Sequence, residues 1–446
     1  MANNNRHFTL FLLMAVFLLL FSCIRVDNHF EKIPPGPWRA VLLLEPRAIT
    51  DNPKGEYLEE KLNLTFEEVA NGELPFTFEV TYTDDTTFYI DIINGEERIR
   101  ADHISFGHTK SRVKDSIRID FPVYDSYITG LYENGVIEGN WVVNYREEYQ
   151  IPFIAHFGYD HRFTKLRKEP VMDLSGKWDV VFSPNKDPYP AIGEFTQKGN
   201  HLTGTFRTET GDYRFLEGTV QADKAYLSVF DGAHAFLFEA KLDADTETLL
   251  GSFRSGTHYK TIWQAKRNSE ATLVDPDSLT YIVDSGDEFN FSFPDLNGNM
   301  RSLDDPIFDG KAKIIQIMGT WCPNCRDETT FLLDYIKNNP REDLEIISIG
   351  FERYKDTGKS MDALRRFKET LHIPYTVLYG GYYDKKEAAK QLPMLNHILS
   401  YPTMIFIDKN NKVRKIHTGF NGPATDKYQE FKDDFEKMVG EMVIGG

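Results

Sequence analysis

Cysteine is scarce in this chain, with three in 446 residues. That scarcity excludes a scaffold stapled by several disulfides. No second CxxC and no HxxxH accompanies the single Cys322–Cys325 pair. A structural zinc site would need two more ligands, so no metal is expected. Positive charge is also short: 51 Lys and Arg stand against 68 Asp and Glu, for a net charge of −17. Such a surface repels phosphate backbones, and nucleic acid is not expected as a partner. The apolar run Phe8–Phe21 is roughly 14 residues, short of the ~20 that a spanning helix needs. Long helical periodicity is missing from Trp38 to about Asn268.

What is present begins at the N-terminus. Arg6 precedes the Phe8–Phe21 run, whose length suits the apolar core of a signal peptide. The run ends in Leu20-Phe21-Ser22-Cys23. This resembles the bacterial lipoprotein signal, in which a small residue precedes a cysteine that is lipidated and becomes the mature N-terminus. Phe21 is bulkier than that pattern usually has. The resemblance implies a signal peptide over 1–22, a lipidated Cys23 and a tether over 23–37. It places the protein in the cell envelope, held to the membrane by its lipid and facing the periplasm. In that compartment a lone CxxC is read as catalytic rather than as a staple.

The next stretch is rich in β-branched and aromatic runs such as Phe76–Val80 and Phe88–Ile92, punctuated by Asn94-Gly95, Asn134-Gly135, Gly199-Asn200 and Gly211-Asp212. Asn-Gly between such runs signals a hairpin, because both residues take positive φ readily. A barrel or sandwich is expected. Trp38-Arg39-Ala40-Val41 resembles Trp178-Asp179-Val180-Val181, and Ile137–Trp141 resembles Leu249–Phe253. The pattern divides into β-rich stretches over 38–168 and 169–268, as two small barrels or one large one. A polar stretch with Pro276 reads as a linker over 269–285. Beyond it, over 286–446, strands and helices alternate. Strands are read at Ile314–Met318, Leu344–Ile349 and Tyr375–Leu378, and a hairpin at Thr403–Asp408 and Val413–His417. Helices are read from Cys322 to about Asn338, from Ser360 to Thr370 and from about Thr425 to Val443. The expected fold class is multidomain, an all-β N-terminal region followed by an α/β domain.

The chemistry concentrates in Trp321-Cys322-Pro323-Asn324-Cys325. A thiolate is the nucleophile in disulfide exchange, and a helix N-terminus favours negative charge. Pro323 is tolerated at the first helical position, where no N–H partner is needed. Cys322 is therefore the expected attacking thiol. Cys325, one turn deeper, is the expected resolving thiol, and Trp321 shields the pair and shapes the docking face. No cofactor beyond a redox-active Cys322–Cys325 disulfide is expected.

Residues from about 286 to the C-terminus resemble the thioredoxin-like fold, and within it the TlpA/ResA-like disulfide reductases of the bacterial envelope. The resemblance rests on Phe289–Gly298, on Ile314 to Cys325, on Glu328 and on Tyr401-Pro402-Thr403-Met404-Ile405-Phe406-Ile407-Asp408. It implies a cis Pro402 lying against the cysteines, with the backbone before it pairing with substrate. Trp321, Pro323, Tyr401, Pro402 and Thr403 thus become substrate-binding candidates. Gln316 stands where thioredoxin has a buried aspartate, and Glu328 matches the glutamate that moves the resolving thiol's proton in the ResA-like branch. Tyr401 is bulkier than the residue usual before that proline. The β extension resembles those of Bacteroidota-type members. The resemblance implies a reductase of disulfides in exported proteins, apocytochromes c among them, fed by a membrane thiol donor. Two rivals stand beside it: an oxidase or isomerase on the same fold, and a ligand- or partner-binding lipoprotein whose dithiol is regulatory.

Overall fold

The computed structural model describes residues 32–45, 64, 66, 67, 69, 72–107, 114–283 and 289–444. The expected signal segment, Cys23 and the first part of the tether lie outside them, as do the last residues of the expected linker.

Nine antiparallel strands between Gly36 and Phe157 form a first sheet. Each strand pairs with its chain neighbour except the fourth and fifth, where the sheet stays open, and the first strand pairs with the last. Nine more strands between Gly176 and Arg267 form a second sheet. Here Tyr189–Lys198 pairs with both Gly176–Phe182 and His201–Thr208. That double pairing closes every strand but the two-residue Gly211–Asp212 into a barrel and removes its edges. Trp178, Phe182, Phe206, Phe238 and Trp263 fill it.

The two sheets share a wall. Strands Lys224–Phe230 and Ala235–Asp243 are buried along nearly all of their length. Successive side chains point to opposite faces. Leu227, Val229, Phe236 and Phe238 therefore enter the barrel core, while Tyr226, Phe230, Ala235 and Leu237 enter the core of the first sheet. The apolar face of the first sheet is thus covered by the outside of the barrel.

The resemblance between the halves has a structural counterpart. Trp38 and Trp178 each lie on the first strand of their sheet. Each donates its indole N–H to a carbonyl four residues back, Trp38 to Pro34 at 3.1 Å and Trp178 to Leu174 at 2.9 Å. Ile137–Trp141 and Leu249–Phe253 both fall on the penultimate strand of their sheets. Trp178 is fully buried, and Arg267 lies 4.5 Å from its ring centroid. Trp178→Ala is expected to cost about 3–5 kcal/mol through the cavity it leaves. The check is the drop in urea midpoint at unchanged m-value.

The C-terminal domain is built on a five-stranded sheet, ordered Thr376–Tyr382, Leu344–Glu352, Ala312–Met318, Thr403–Ile407, Val413–Thr418. The first three strands run parallel, and the last two pair antiparallel. Helices Pro323–Asn338, Thr357–Thr370 and Tyr428–Ile444 accompany it. A short helix, Lys385–Gln391, escapes the sequence pattern because only Ala388 of it is buried. The expected linker is also more than a tether. Its helix Pro276–Leu279 docks on the edge strand, with Asp277 2.7 Å from His417 Nδ1 and 2.6 Å from Lys415 Nζ. Its polar composition serves these contacts.

Both β domains pack on the C-terminal domain. Buried Arg214 of the barrel pairs with Glu97 of the first sheet, with Asp231 at 3.3 Å and with Asp327 of the C-terminal domain. Asp125 of the first sheet accepts from the Tyr354 hydroxyl and pairs with Arg366 at 2.9 Å. Arg366 Nε also donates to the Pro122 carbonyl at 3.0 Å.

Candidate active site

Ala312–Met318 is buried along its whole length and delivers the chain to the helix Pro323–Asn338. Cys322 is the N-cap of that helix and Pro323 its first residue. The N–H of Cys325 donates to Cys322 Sγ at 3.2 Å, and the Cys322 thiol donates to the Tyr401 carbonyl at 3.3 Å. An N-cap acceptor satisfies an otherwise unpaired helix donor. Both cysteines are free thiols. Cys322 retains 7% of its exposure and Cys325 none, so only Cys322 can meet a substrate sulfur first. Burial pushes the Cys325 thiol well above its ordinary pKa, and the adjacent Cys322 sulfur pushes the same way.

The Tyr401–Pro402 peptide is cis. The Tyr401 ring packs edge-on to Trp321 at 5.5 Å, and its hydroxyl donates to the Tyr383 carbonyl at 2.9 Å. This hydroxyl anchor gives the bulky residue a defined seat. Trp321 donates its indole N–H to the Phe351 carbonyl at 3.0 Å. Thr403 is buried, and its hydroxyl donates to the Ser400 carbonyl at 3.0 Å, fixing the turn that carries the proline.

Behind the dithiol lies a buried polar group of side chains. Gln316 Nε2 donates to Glu328 Oε2 at 2.9 Å and to the Cys325 carbonyl at 3.3 Å. Gln316 Oε1 accepts from Ser348 Oγ at 2.7 Å. Among the described residues Glu328 Oε1 has no partner. Burial pushes the Glu328 carboxyl up from 4.5 to about 8, and the Gln316 hydrogen bond pulls it back only in part. Gln316 cannot take a proton itself, but it orients the carboxyl that can.

Sequence reasoning missed two neighbours. Glu352 is buried at the end of Leu344–Glu352 and accepts from Thr320 N at 2.9 Å and Thr320 Oγ1 at 2.8 Å. Burial pushes its carboxyl up to about 7. It clamps the turn that presents Trp321 and Cys322. Arg353 lies 4.1 Å from the Trp321 ring centroid, 5.0 Å from that of Tyr383 and 5.1 Å from that of Tyr145 of the first sheet. Polar residues at the carboxyl end of a parallel strand, beside the strand feeding the motif, were the available signal.

A dithiol with Cys322 at a helix N-cap and slightly exposed, Cys325 fully buried and the buried Glu328 carboxyl nearby fits a thiol–disulfide oxidoreductase site. The family model and the named relatives agree with that class. Residues 284–431 match the Redoxin family model. The chain is 26% identical over 147 residues to the thioredoxin-like protein YneN of Bacillus subtilis, covering 33% of this chain and 76% of that relative. It is 25% identical over 138 residues to the thiol-disulfide oxidoreductase ResA of Bacillus subtilis, covering 31% and 69%. Among solved structures, a thioredoxin-family thiol:disulfide interchange protein from Chlorobium tepidum is similar at 21% identity and a TM-score of 0.27, over 35% of this chain and 94% of that one. The C-terminal part of the chain is thus similar to the Redoxin family and to ResA-like thiol-disulfide oxidoreductases.

Proposed function

We propose that the protein reduces disulfides in exported proteins, apocytochromes c among them, at the cell envelope, where the lipid on Cys23 would hold it. The observation that carries this reading is the placement of Cys322 at the helix N-cap, with buried Cys325 and Glu328 behind it. The Cys322 thiolate attacks one sulfur of the substrate. The substrate S–S bond breaks, a mixed disulfide forms, and the first substrate thiolate leaves and takes a proton. Glu328, as carboxylate, accepts the Cys325 proton. The Cys325 thiolate then attacks Cys322 Sγ and releases the second substrate sulfur. Two electrons have passed to substrate, and the Cys322–Cys325 disulfide remains. A membrane thiol donor returns them by the same exchange. Trp321, Pro323, Tyr401 and Pro402 line the face on which the substrate chain lies, while Thr403, expected there too, is fully buried and fixes the turn beneath it.

The test is the reduction potential of the Cys322–Cys325 couple in dithiothreitol buffers. A value near or below about −250 mV, close to the ~−270 mV of thioredoxin, is expected. A value near the ~−120 mV of a strong oxidant would reverse the direction to disulfide formation. Absence of a reversible couple would leave the dithiol a regulatory element of a binding protein.

A further inference from the structure

The dithiol does not face solvent alone, because elements of both β domains lie against its surroundings. On one side stands the turn Thr208–Asp212 of the barrel. The Asp212 carbonyl accepts from Asn324 Nδ2, inside the CxxC motif, at 3.2 Å. The Thr210 carbonyl accepts from Ser400 Oγ, next to Tyr401, at 2.8 Å. Asp212 Oδ2 accepts from Gly422 N at 2.8 Å. The turn therefore touches three separate segments around the sulfurs. Gly211 sits there at φ +129°, and a Cβ on it would collide with the Asn324 amide. On the other side stands Tyr145, with Arg353 between it and Trp321. Cys322 is left 7% exposed between these walls.

An attacking sulfur must line up with both sulfurs of its target. A disulfide set in a folded surface carries bulk around it, and the two walls stand beside the line of approach to Cys322. A small disulfide does not meet this obstacle. We propose that the Thr208–Asp212 turn and Tyr145 form a specificity gate, which admits small disulfides to Cys322 and holds off folded ones until the β domains move aside. This inference rests on the oxidoreductase reading above. The gate is held in place by Arg214 with Glu97, Asp231 and Asp327, and by Arg366 with Asp125 and Pro122. Loss of either set raises the fraction of open molecules, and the rate on bulky substrates rises in proportion to that fraction.

The experiment uses the full chain with dithiothreitol as the electron supply. It compares reduction of dithiodipyridine, as the small probe, with reduction of insulin, as the folded one. Wild type is set against Arg214→Met and Arg366→Ala. Arg366 lies partly exposed, so its truncation keeps a folded test in hand where loss of buried Arg214 prevents folding. In each folded variant the insulin rate is expected to rise about tenfold while the dithiodipyridine rate stays within a factor of about two. A change in dithiol electrostatics alone would move both rates together. An unchanged ratio of the two rates in the Arg366→Ala protein overturns the gate. A wild-type chain that reduces neither probe overturns the oxidoreductase reading itself, and the gate with it.

Discussion

Cys322→Ser is expected to bring insulin reduction to the uncatalysed background, a loss of roughly three or more orders of magnitude. The serine hydroxyl keeps its proton at neutral pH and cannot form the mixed disulfide. Cys325→Ala has a different signature. It leaves the attacking sulfur at the helix N-cap but removes the group that resolves the adduct. Substrates should then accumulate as mixed disulfides on Cys322, visible as reducible mass adducts on a non-reducing gel. The order of the two sulfurs follows from burial, since Cys325 is fully buried and Cys322 is not. Adducts that appear only when Cys322 is the residue replaced would reverse that order.

The parts of this site legible in the sequence are the local ones. Cys322, Pro323 and Cys325 fall within one helical turn, so their spacing alone states the geometry. The strand Ala312–Met318 reads as apolar because both of its faces are covered. The hairpins of the β region announce themselves through turn residues, and Asn134-Gly135 joins two strands in register. The paired Trp38 and Trp178 were readable as a repeat, although only the structure shows two sheets sharing a wall. The docking of the β domains was not readable. Arg214 and Asp327 are 113 residues apart, and Asp125 and Tyr354 are 229 apart. A single charged residue carries no mark of so distant a partner. Glu352 was hidden differently: one carboxylate ending an apolar strand looks like a solvated strand end until Thr320 is seen to donate to it twice.

Glu328→Gln is expected to slow release of the second substrate sulfur by about a hundredfold at pH 8 and to flatten its pH profile. The carboxyl is held at about 8 in the folded protein, against an ordinary 4.5. Below about 8 it keeps its proton and cannot accept the one on Cys325. In wild type the resolving step should therefore quicken as pH rises through about 8, and stopped-flow decay of a preformed mixed disulfide measures this directly. Glutamine preserves the acceptor for Gln316 Nε2 but takes no proton, so the variant should show no such rise. The same shift predicts an effect on stability. The folded pKa lies above the unfolded one, so the protonated carboxyl contributes stability that is fully present below about 4.5 and lost as pH rises through about 8. The stability of wild type relative to Glu328→Gln should fall across that window. Glu352 and Asp212, which burial also pushes up, titrate in both proteins and cancel in the comparison. Parallel urea midpoints for the two proteins from about pH 5 to about pH 9 would show that Glu328 is already ionised in the fold and would remove it as the timed proton acceptor.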